Sequence, residues 1–237
     1  MGTIQELRKI KGKRLAHKAA SWAQRTYYRN FQRPEADITQ HPLYMLLRYY
    51  RATEVQSIGK MPIVVTGDSR IHGGEPFFES LIPGCVDTGI SGDTSKGVHK
   101  RLNDTVLAYD PAIVADDSAG NDILGGAKAS QIIPIKRAIA SQVRASGSRI
   151  LFFDVCPLGP KSDPKFNAVI LEYNLALRDN FPEEEILPVA DLLAVSPIGP
   201  MKPEFNSGDQ IHHTPLAYTQ VYVPELRTRL QRFGFAV

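Results

Sequence analysis

The segment Gly67-Asp68-Ser69 places a serine shortly after an apolar run at residues 63–65. The run is rich in β-branched residues, which predicts a strand, and Gly, Asp and Ser are also ordinary turn residues. A serine at such a position can also be a nucleophile. Its hydroxyl becomes reactive only when a base takes the proton and a carboxylate orients that base.

Groups suited to these supporting roles occur later in the chain. Asp209 and His212 are separated by two residues, a spacing that allows the carboxylate to hold the imidazole of the same loop. Charge that develops on a substrate oxygen also needs preorganised hydrogen-bond donors. The backbone N–H groups of Ser69 and Gly92 and the side-chain amide of Asn121 are candidates for such an oxyanion hole. These residue types together are typical of acyl transfer.

A metal site is the main chemical alternative. Five carboxylates are expected near the strand ends and could hold Mg²⁺ for phosphoryl chemistry; they are Asp68, Asp93, Asp116, Asp117 and Asp122. The adjacent histidines His212 and His213 could also ligate a metal. However, no Cys or third His stands at a recognisable ligand spacing, and a metal would leave Ser69 and Asn121 unexplained. We therefore expect neither a metal nor a cofactor.

The order of the secondary-structure elements predicts where these groups meet. Strand-like runs at 62–66, 85–90, 111–116, 149–155 and 186–190 alternate with helical segments near 75–82, 94–109, 127–146, 164–180 and 215–232. This alternation predicts a flavodoxin-like, three-layer α/β/α sandwich with a mostly parallel five-stranded sheet. Sites in such folds form beyond the carboxyl ends of the strands, which is where Ser69 and the segments 89–95, 116–122 and 208–218 are expected.

The distribution of charge divides the chain in two. Residues 1–60 carry 12 Lys and Arg against 4 Asp and Glu, a net charge of +8, whereas the other 177 residues carry 16 against 21, a net charge of −5. Such an asymmetry suggests two roles in one chain. Apolar residues at helical spacing recur through the first segment. We therefore expect a basic helical extension at 1–60, followed by a hydrolase-like domain at 61–237.

Three interpretations of the extension stay open: a solvated helix face, a phosphate-binding surface and a docking segment. Docking on another protein chain or self-association is favoured, because a 60-residue extension with an aromatic stripe exceeds what an appendage of a small domain needs. Nucleic acid is the weaker alternative, and the interleaving of Lys and Arg with Trp22, Tyr27, Tyr28 and Phe31 is the feature that supports it. No secretory signal or apolar stretch of spanning length is recognised, so a cytoplasmic location or a place in a larger assembly is expected. The two cysteines are expected to be buried free thiols.

Four short blocks resemble those of the SGNH hydrolases, also called GDSL esterases. They are Gly67-Asp68-Ser69, Ile90-Ser91-Gly92-Asp93-Thr94, Gly120-Asn121-Asp122 and Asp209-x-x-His212. The blocks occur in the order and at the spacing of that family, over roughly residues 61–237. The resemblance implies an α/β serine esterase without a cofactor. It also implies Ser69 as nucleophile, His212 as base, Asp209 as its partner, and Ser69, Gly92 and Asn121 as the oxyanion hole.

Three residues depart from the family pattern. Arg70 stands where leucine is expected after the nucleophile, Ala119 stands where glycine is frequent, and His213 directly follows the proposed base. A cation at Arg70 suggests a substrate-binding role and a polar or anionic acylated substrate, with acetyl esters of a carbohydrate as the leading expectation. The alternative function is a structural component of an assembly that keeps the hydrolase fold and docks through residues 1–60.

Overall fold

The computed structural model describes residues 63–196 and 199–237. The predicted extension at 1–60 lies outside the described residues. The strands are β1 (Ile63–Gly67), β2 (Cys85–Asp87), β3 (Ile113–Asp117), β4 (Arg149–Phe153) and β5 (Ile186–Leu187). The helices are α1 (Ser69–Leu81), α2 (Ser95–Thr105), α3 (Gly120–Leu124), α4 (Ala129–Ala145), α5 (Pro164–Asn180), α6 (Val189–Leu193), α7 (Pro215–Ala217) and α8 (Val223–Arg232).

The five strands form one sheet in the order β2-β1-β3-β4-β5, and every pair of neighbours is parallel. Val64 of β1, for example, is the register partner of Val86 on one side and of Val114 on the other. Strands buried on both faces read as continuous apolar runs rather than alternating ones, which is why the sequence predicted a covered parallel sheet. The predicted α/β/α architecture is confirmed, and the sheet is parallel throughout the described strands.

Successive side chains of a strand point to opposite faces, so each strand contributes to two cores. On one face, Ile63 and Val65 pack with α1 and α8 through residues such as Phe78 and Leu226. On the other face lie α2, α4 and α5. Both cysteines, Cys85 and Cys156, are buried free thiols as expected. None of the helices within 63–196 and 199–237 combines the length and the apolar character that a membrane span requires.

The helix after β1 begins earlier than predicted. The sequence suggested a helix near 75–82. Gly73, Gly74 and Pro76 are poor helix formers, which makes an earlier start hard to predict. In the structure α1 starts at Ser69, where the Asp68 carboxylate caps the helix by accepting the Arg70 N–H at 2.9 Å. Capping and burial against the sheet outweigh the low intrinsic propensity of this segment. The strand therefore leads almost directly into a helix.

Gly67 allows this abrupt strand-to-helix transition. Its φ is +154°, and a Cβ there would lie 2.5 Å from the carbonyl oxygen of Asp117 at the end of β3. A side chain at this position would therefore push β1 and β3 apart. The glycine is required by the close approach of two neighbouring strands, which is more than an ordinary turn demands.

Candidate active site

Ser69 is the first residue of α1 and lies half-buried at the carboxyl edge of the sheet. The first backbone N–H groups of a helix have no acceptor within the helix. At this helix the Asp68 carboxylate takes the Arg70 N–H. The Ser69 N–H is another of these N-terminal backbone donors.

His212 connects Ser69 to Asp209. Its Nε2 lies 2.8 Å from Ser69 Oγ, and its Nδ1 makes a short contact with Asp209 Oδ2. A carboxylate can only accept, so Nδ1 carries the proton and Nε2 has a lone pair directed at the serine hydroxyl. These contacts form one hydrogen-bonded chain from carboxylate to imidazole to hydroxyl, although 143 residues separate Ser69 from His212.

The Asp209 carboxylate is fixed by its own loop. Its Oδ1 accepts the backbone N–H groups of Ile211 at 2.9 Å and His212 at 2.8 Å. Partial burial alone would raise the pKa of Asp209, but these two N–H groups and the His212 ring outweigh it and hold that pKa well below its usual range. Asp209 is therefore ionised at neutral pH. The side chains of His212 and Asp209 stay 41% and 50% exposed, so the site is open to solvent.

The loop that carries this pair is anchored to the body of the domain. Ser207 donates its backbone N–H to the His212 carbonyl at 2.9 Å, which closes the loop on itself. Gly159, which follows β4, donates its N–H to the Gln210 carbonyl at 2.8 Å. The loops after β4 and before α7 are thus tied together at the edge where Ser69 lies.

Asn121, in the short helix α3, is joined by a direct contact to the loop that carries Gly92. Asn121 Nδ2 donates to the carbonyl of Asp93 at 2.8 Å, and the Ile90 N–H donates to the Gly67 carbonyl at 3.0 Å. Gly92 has a φ of +84°, which favours glycine. One hydrogen of the Asn121 amide is used in its contact with the Asp93 carbonyl, and the amide carries a second hydrogen. The predicted oxyanion residues therefore belong to one connected edge.

Arg101 stabilises the loop that carries Gly92, and this role was not predicted from the sequence. It is buried in α2, where its Nε donates to Asp93 at 2.7 Å. Its guanidinium also reaches Thr66 Oγ1 at 3.1 Å and the Gly67 carbonyl at 3.3 Å. This single side chain links the Gly92 loop to the end of β1. In the sequence it looks like one more surface charge on an amphipathic helix, because all of these partners except Asp93 are more than 30 residues away.

Ala119 adopts a backbone conformation that favours glycine, with a φ of +145° and a ψ of −19°. It is fully buried and precedes α3, whose second residue is Asn121. A non-glycine residue held there stores strain of about 1–3 kcal/mol, and such strain persists only where neighbouring contacts impose it. An alanine at this position is therefore strained, whereas the glycine that is frequent in the family pattern would adopt the same backbone conformation without that strain.

The structure corrects the expectation for Arg70. Its side chain is buried, with its guanidinium 3.4 Å from Asp68 and 3.2 Å from Asp117. Its carbonyl also accepts the Tyr218 hydroxyl at 2.7 Å. An arginine enclosed by two carboxylates does not offer its charge to a substrate. The assignment of Arg70 to substrate binding was therefore wrong, because sequence proximity to the nucleophile does not reveal which way a side chain points.

The acidic residues proposed for the magnesium alternative already have hydrogen-bond donors from the protein. Asp68 and Asp117 share Arg70, whereas Asp93 pairs with Arg101, Asp116 with Lys136, and Asp122 with Ser95. His213 is buried beside Tyr218 and Tyr222, away from solvent. Within the described ranges, no three Asp, Glu, His or Cys side chains are grouped as metal ligands.

Comparison with known proteins agrees with this architecture. No protein-family model matches the chain. Esterase TesA of Pseudomonas aeruginosa is 33% identical over 81 residues, which cover 34% of this chain and 40% of that protein. The chain therefore spans about two fifths of the length of this curated relative.

Solved structures extend the likeness over most of the chain. A GDSL-like lipase from Bacteroides thetaiotaomicron superposes with a TM-score of 0.62 at 17% identity and covers 78% of this chain and 98% of that one. An acetyl xylan esterase gives a TM-score of 0.59 at 15% identity and covers 70% and 98%. At this identity the likeness establishes the fold. The α/β fold that the four blocks implied is therefore confirmed.

Proposed function

We propose that this SGNH-type chain is a serine esterase that hydrolyses acyl esters, with Ser69 as nucleophile, His212 as general base and then acid, and Asp209 as its orienting partner. The observation that carries the proposal is the continuous hydrogen-bonded chain from Asp209 through His212 to Ser69. The likeness in fold to a GDSL-like lipase and the partial likeness to an esterase support the reaction class.

The proposed reaction has two halves. In acylation, His212 Nε2 takes the hydroxyl proton while Ser69 Oγ bonds to the substrate carbonyl carbon, and the carbonyl oxygen becomes an oxyanion. That oxyanion accepts hydrogen bonds from the Ser69 and Gly92 N–H groups and the Asn121 amide. His212 then gives its proton to the departing alcohol as the ester bond breaks. In deacylation a water molecule repeats the sequence and releases the acid.

Asp209 has an electrostatic and an orienting role in this scheme. It holds Nδ1–H so that Nε2 faces the serine, and its negative charge stabilises the imidazolium that forms in each half-reaction. Its low pKa keeps it ionised throughout.

Acetyl esters of a carbohydrate or another polar acceptor are the proposed substrate class. Two observations support this choice. The exposed Asp209–His212 pair leaves room for a bulky alcohol portion, and one structural relative is an acetyl xylan esterase. The Arg70 charge does not bear on the substrate class, because that side chain is buried and ion-paired.

A substrate panel tests this proposal. Purified full-length protein is assayed for kcat/KM with p-nitrophenyl acetate, acetylated sugars, long-chain esters and acyl thioesters, with Ser69→Ala as the matched control. The proposal predicts the highest kcat/KM for acetylated sugars and no turnover by the variant. Preference for long-chain esters would overturn the substrate class, and turnover by Ser69→Ala would overturn the mechanism.

We also propose that residues 1–60 dock the enzyme on another protein chain or on a second copy of itself. The net charge of +8 and the aromatic residues within that segment support this role. Light scattering of the full-length protein at low and high salt tests it. Salt-insensitive association supports an aromatic contact, whereas a monomer at every salt concentration would contradict self-association.

A further inference from the structure

Lys136 is a lysine with no solvent exposure. It lies on the sheet-facing side of α4, among buried apolar residues such as Ile132 and Ile139. Its Nζ lies 2.8 Å from Asp116 Oδ2 at the end of β3 and 5.5 Å from the ring centroid of Phe152. An apolar side chain at this helical position would avoid the desolvation of an ammonium group. The lysine therefore needs an explanation beyond packing.

Each of the three ammonium hydrogens of Lys136 has a hydrogen-bond acceptor. Besides Asp116 Oδ2, the ammonium group contacts Ser118 Oγ at 2.8 Å and makes a short contact with the Ser118 carbonyl. Asp116 Oδ1 accepts the Ser118 N–H at 2.9 Å. Lys136 and Asp116 thus hold the N–H, the carbonyl and the hydroxyl of one residue.

Ser118 is the residue before the strained Ala119. A peptide at a φ of +145° relaxes unless the chain is fixed on both sides. Lys136 and Asp116 fix the chain before Ala119 through their hydrogen bonds to Ser118. On the side after Ala119, Asn121 donates to the Asp93 carbonyl, and Asp122 accepts from the backbone and hydroxyl of Ser95.

We propose that Lys136 is a positioning residue that, through Ser118, imposes the backbone conformation of Ala119 and so aims the Asn121 amide at the substrate oxygen. The inference rests on the proposed esterase function for its effect on rate. Its structural part, the dependence of the Asn121 amide geometry on Lys136, does not depend on that function.

The test removes the buried pair as a unit, since loss of the lysine alone would leave Asp116 as a buried unpaired charge. The double variant Asp116→Val/Lys136→Met keeps similar volumes and leaves no buried unpaired charge. It also removes the partners of the Ser118 N–H, carbonyl and hydroxyl, so urea denaturation is used to check that the variant is folded. We expect it to fold, with kcat for p-nitrophenyl acetate lowered about tenfold to a hundredfold and KM within about twofold, a smaller loss than removal of an oxyanion donor causes.

Relief of the strain provides a rescue that a purely structural role would not give. Glycine accepts the conformation of residue 119 without a Cβ penalty. Adding Ala119→Gly to the double variant should therefore recover most of the lost kcat, whereas the same substitution in the wild type should change kcat by less than about twofold because the loop is already held.

A second ion pair with a fully buried carboxylate provides the control. Asp154, just after β4, pairs with the part-exposed Arg178 of α5 at 2.7 Å, and its other carboxylate oxygen accepts the Ala190 N–H at 2.7 Å. Asp154→Asn/Arg178→Met should leave kcat and KM unchanged. A comparable loss of kcat in this control would show that any buried pair affects the rate through general stability, and would overturn the specific role of Lys136.

A spectroscopic readout makes the test independent of activity. The two Asn121 Nδ2 protons, assigned in ¹H–¹⁵N spectra by their loss in Asn121→Asp, should have well-separated shifts because one is bonded to the Asp93 carbonyl. In Asp116→Val/Lys136→Met the chemical-shift difference between these two protons should collapse. Adding Ala119→Gly to that variant should restore the difference. An unchanged Asn121 signal together with unchanged kcat would overturn the inference. A collapsed signal in a protein whose wild type shows no esterase activity would support the positioning role and refute the proposed function.

Discussion

His212 and His213 are neighbours in the chain but face opposite environments. The His212 ring is 41% exposed and lies 2.8 Å from Ser69 Oγ, whereas His213 is 6% exposed and packs edge-on to Tyr218 and obliquely on Tyr222. Neither nitrogen of His213 has a hydrogen-bond partner among the described residues. Adjacent side chains on an extended backbone diverge, so only one of the two can reach the serine.

This divergence predicts opposite consequences for the two substitutions. His212→Ala should reduce kcat almost as much as loss of Ser69, because members of a triad act as a unit, and should change stability little. His213→Leu should keep kcat within about tenfold and raise the free energy of unfolding by about 1 kcal/mol, since it removes a buried imidazole without partners. Ester hydrolysis and urea denaturation of both variants measure these effects. The reverse order of activity loss would mean that His213 is the base.

The burial of His213 also predicts a pH dependence of stability. Burial first, and then the nearby positive charge of Arg70, lower the pKa of His213 well below 6.5. The folded state therefore keeps this ring neutral while the unfolded chain binds a proton below pH 6.5, so the wild type loses stability as the pH falls. His213→Leu lacks this loss, so its advantage in melting temperature should grow from pH 7 to pH 5. An advantage that is constant across this range would contradict the assignment of a neutral buried ring.

Asn121 is predicted to act mainly on the transition state. Asn121→Ala should lower kcat by about 10²–10³ with little change in KM, because its free amide hydrogen is needed by the oxyanion rather than by the ground-state carbonyl. Asn121→Asp is a control that keeps the volume and removes the donor. Steady-state kinetics distinguish this role from ground-state binding, which would raise KM and leave kcat unchanged.

Arg70 is predicted to be structural. Arg70→Leu introduces the residue of the family pattern but leaves Asp68 and Asp117 without their counter-ion, which should lower the free energy of unfolding by about 3–5 kcal/mol. Burial already raises the pKa of Asp117 to about 7 against the opposing effect of Arg70. Arg70→Leu/Asp117→Leu should therefore recover most of that loss in urea denaturation. A selective increase in KM for anionic esters in the single variant would restore the substrate-binding role.

The sequence predicted the elements that repeat a simple pattern. Apolar runs predicted all five strands. The chemistry-bearing residues were expected at the carboxyl ends of these strands, and Ser69, Asp209 and His212 are in contact with one another in the structure. The start of α1 and the five-residue helices α3 and α6 were missed. Short helices carry too few turns to show a periodicity, and the α1 start depends on a cap and on tertiary packing rather than on propensity.

The burial of three cationic side chains could not be predicted from the sequence, for a different reason. Lys136, Arg101 and Arg70 look like solvent-exposed charges until their partners are known, and those partners come from other elements. The sequence contains the carboxylates but not the pairing, since burial of a charge is decided by the three-dimensional arrangement of the strand ends.

Covalent labelling tests most directly whether Ser69 is the nucleophile. Full-length protein is treated with a fluorophosphonate, digested and analysed by mass spectrometry, while residual hydrolysis of p-nitrophenyl acetate is followed in parallel. We expect one adduct per chain, on Ser69, with hydrolysis lost in proportion to labelling and no adduct in Ser69→Ala. Hydrolysis that persists after complete labelling of Ser69, or an adduct on another residue that accounts for the lost activity, would contradict the assignment of Ser69 as nucleophile.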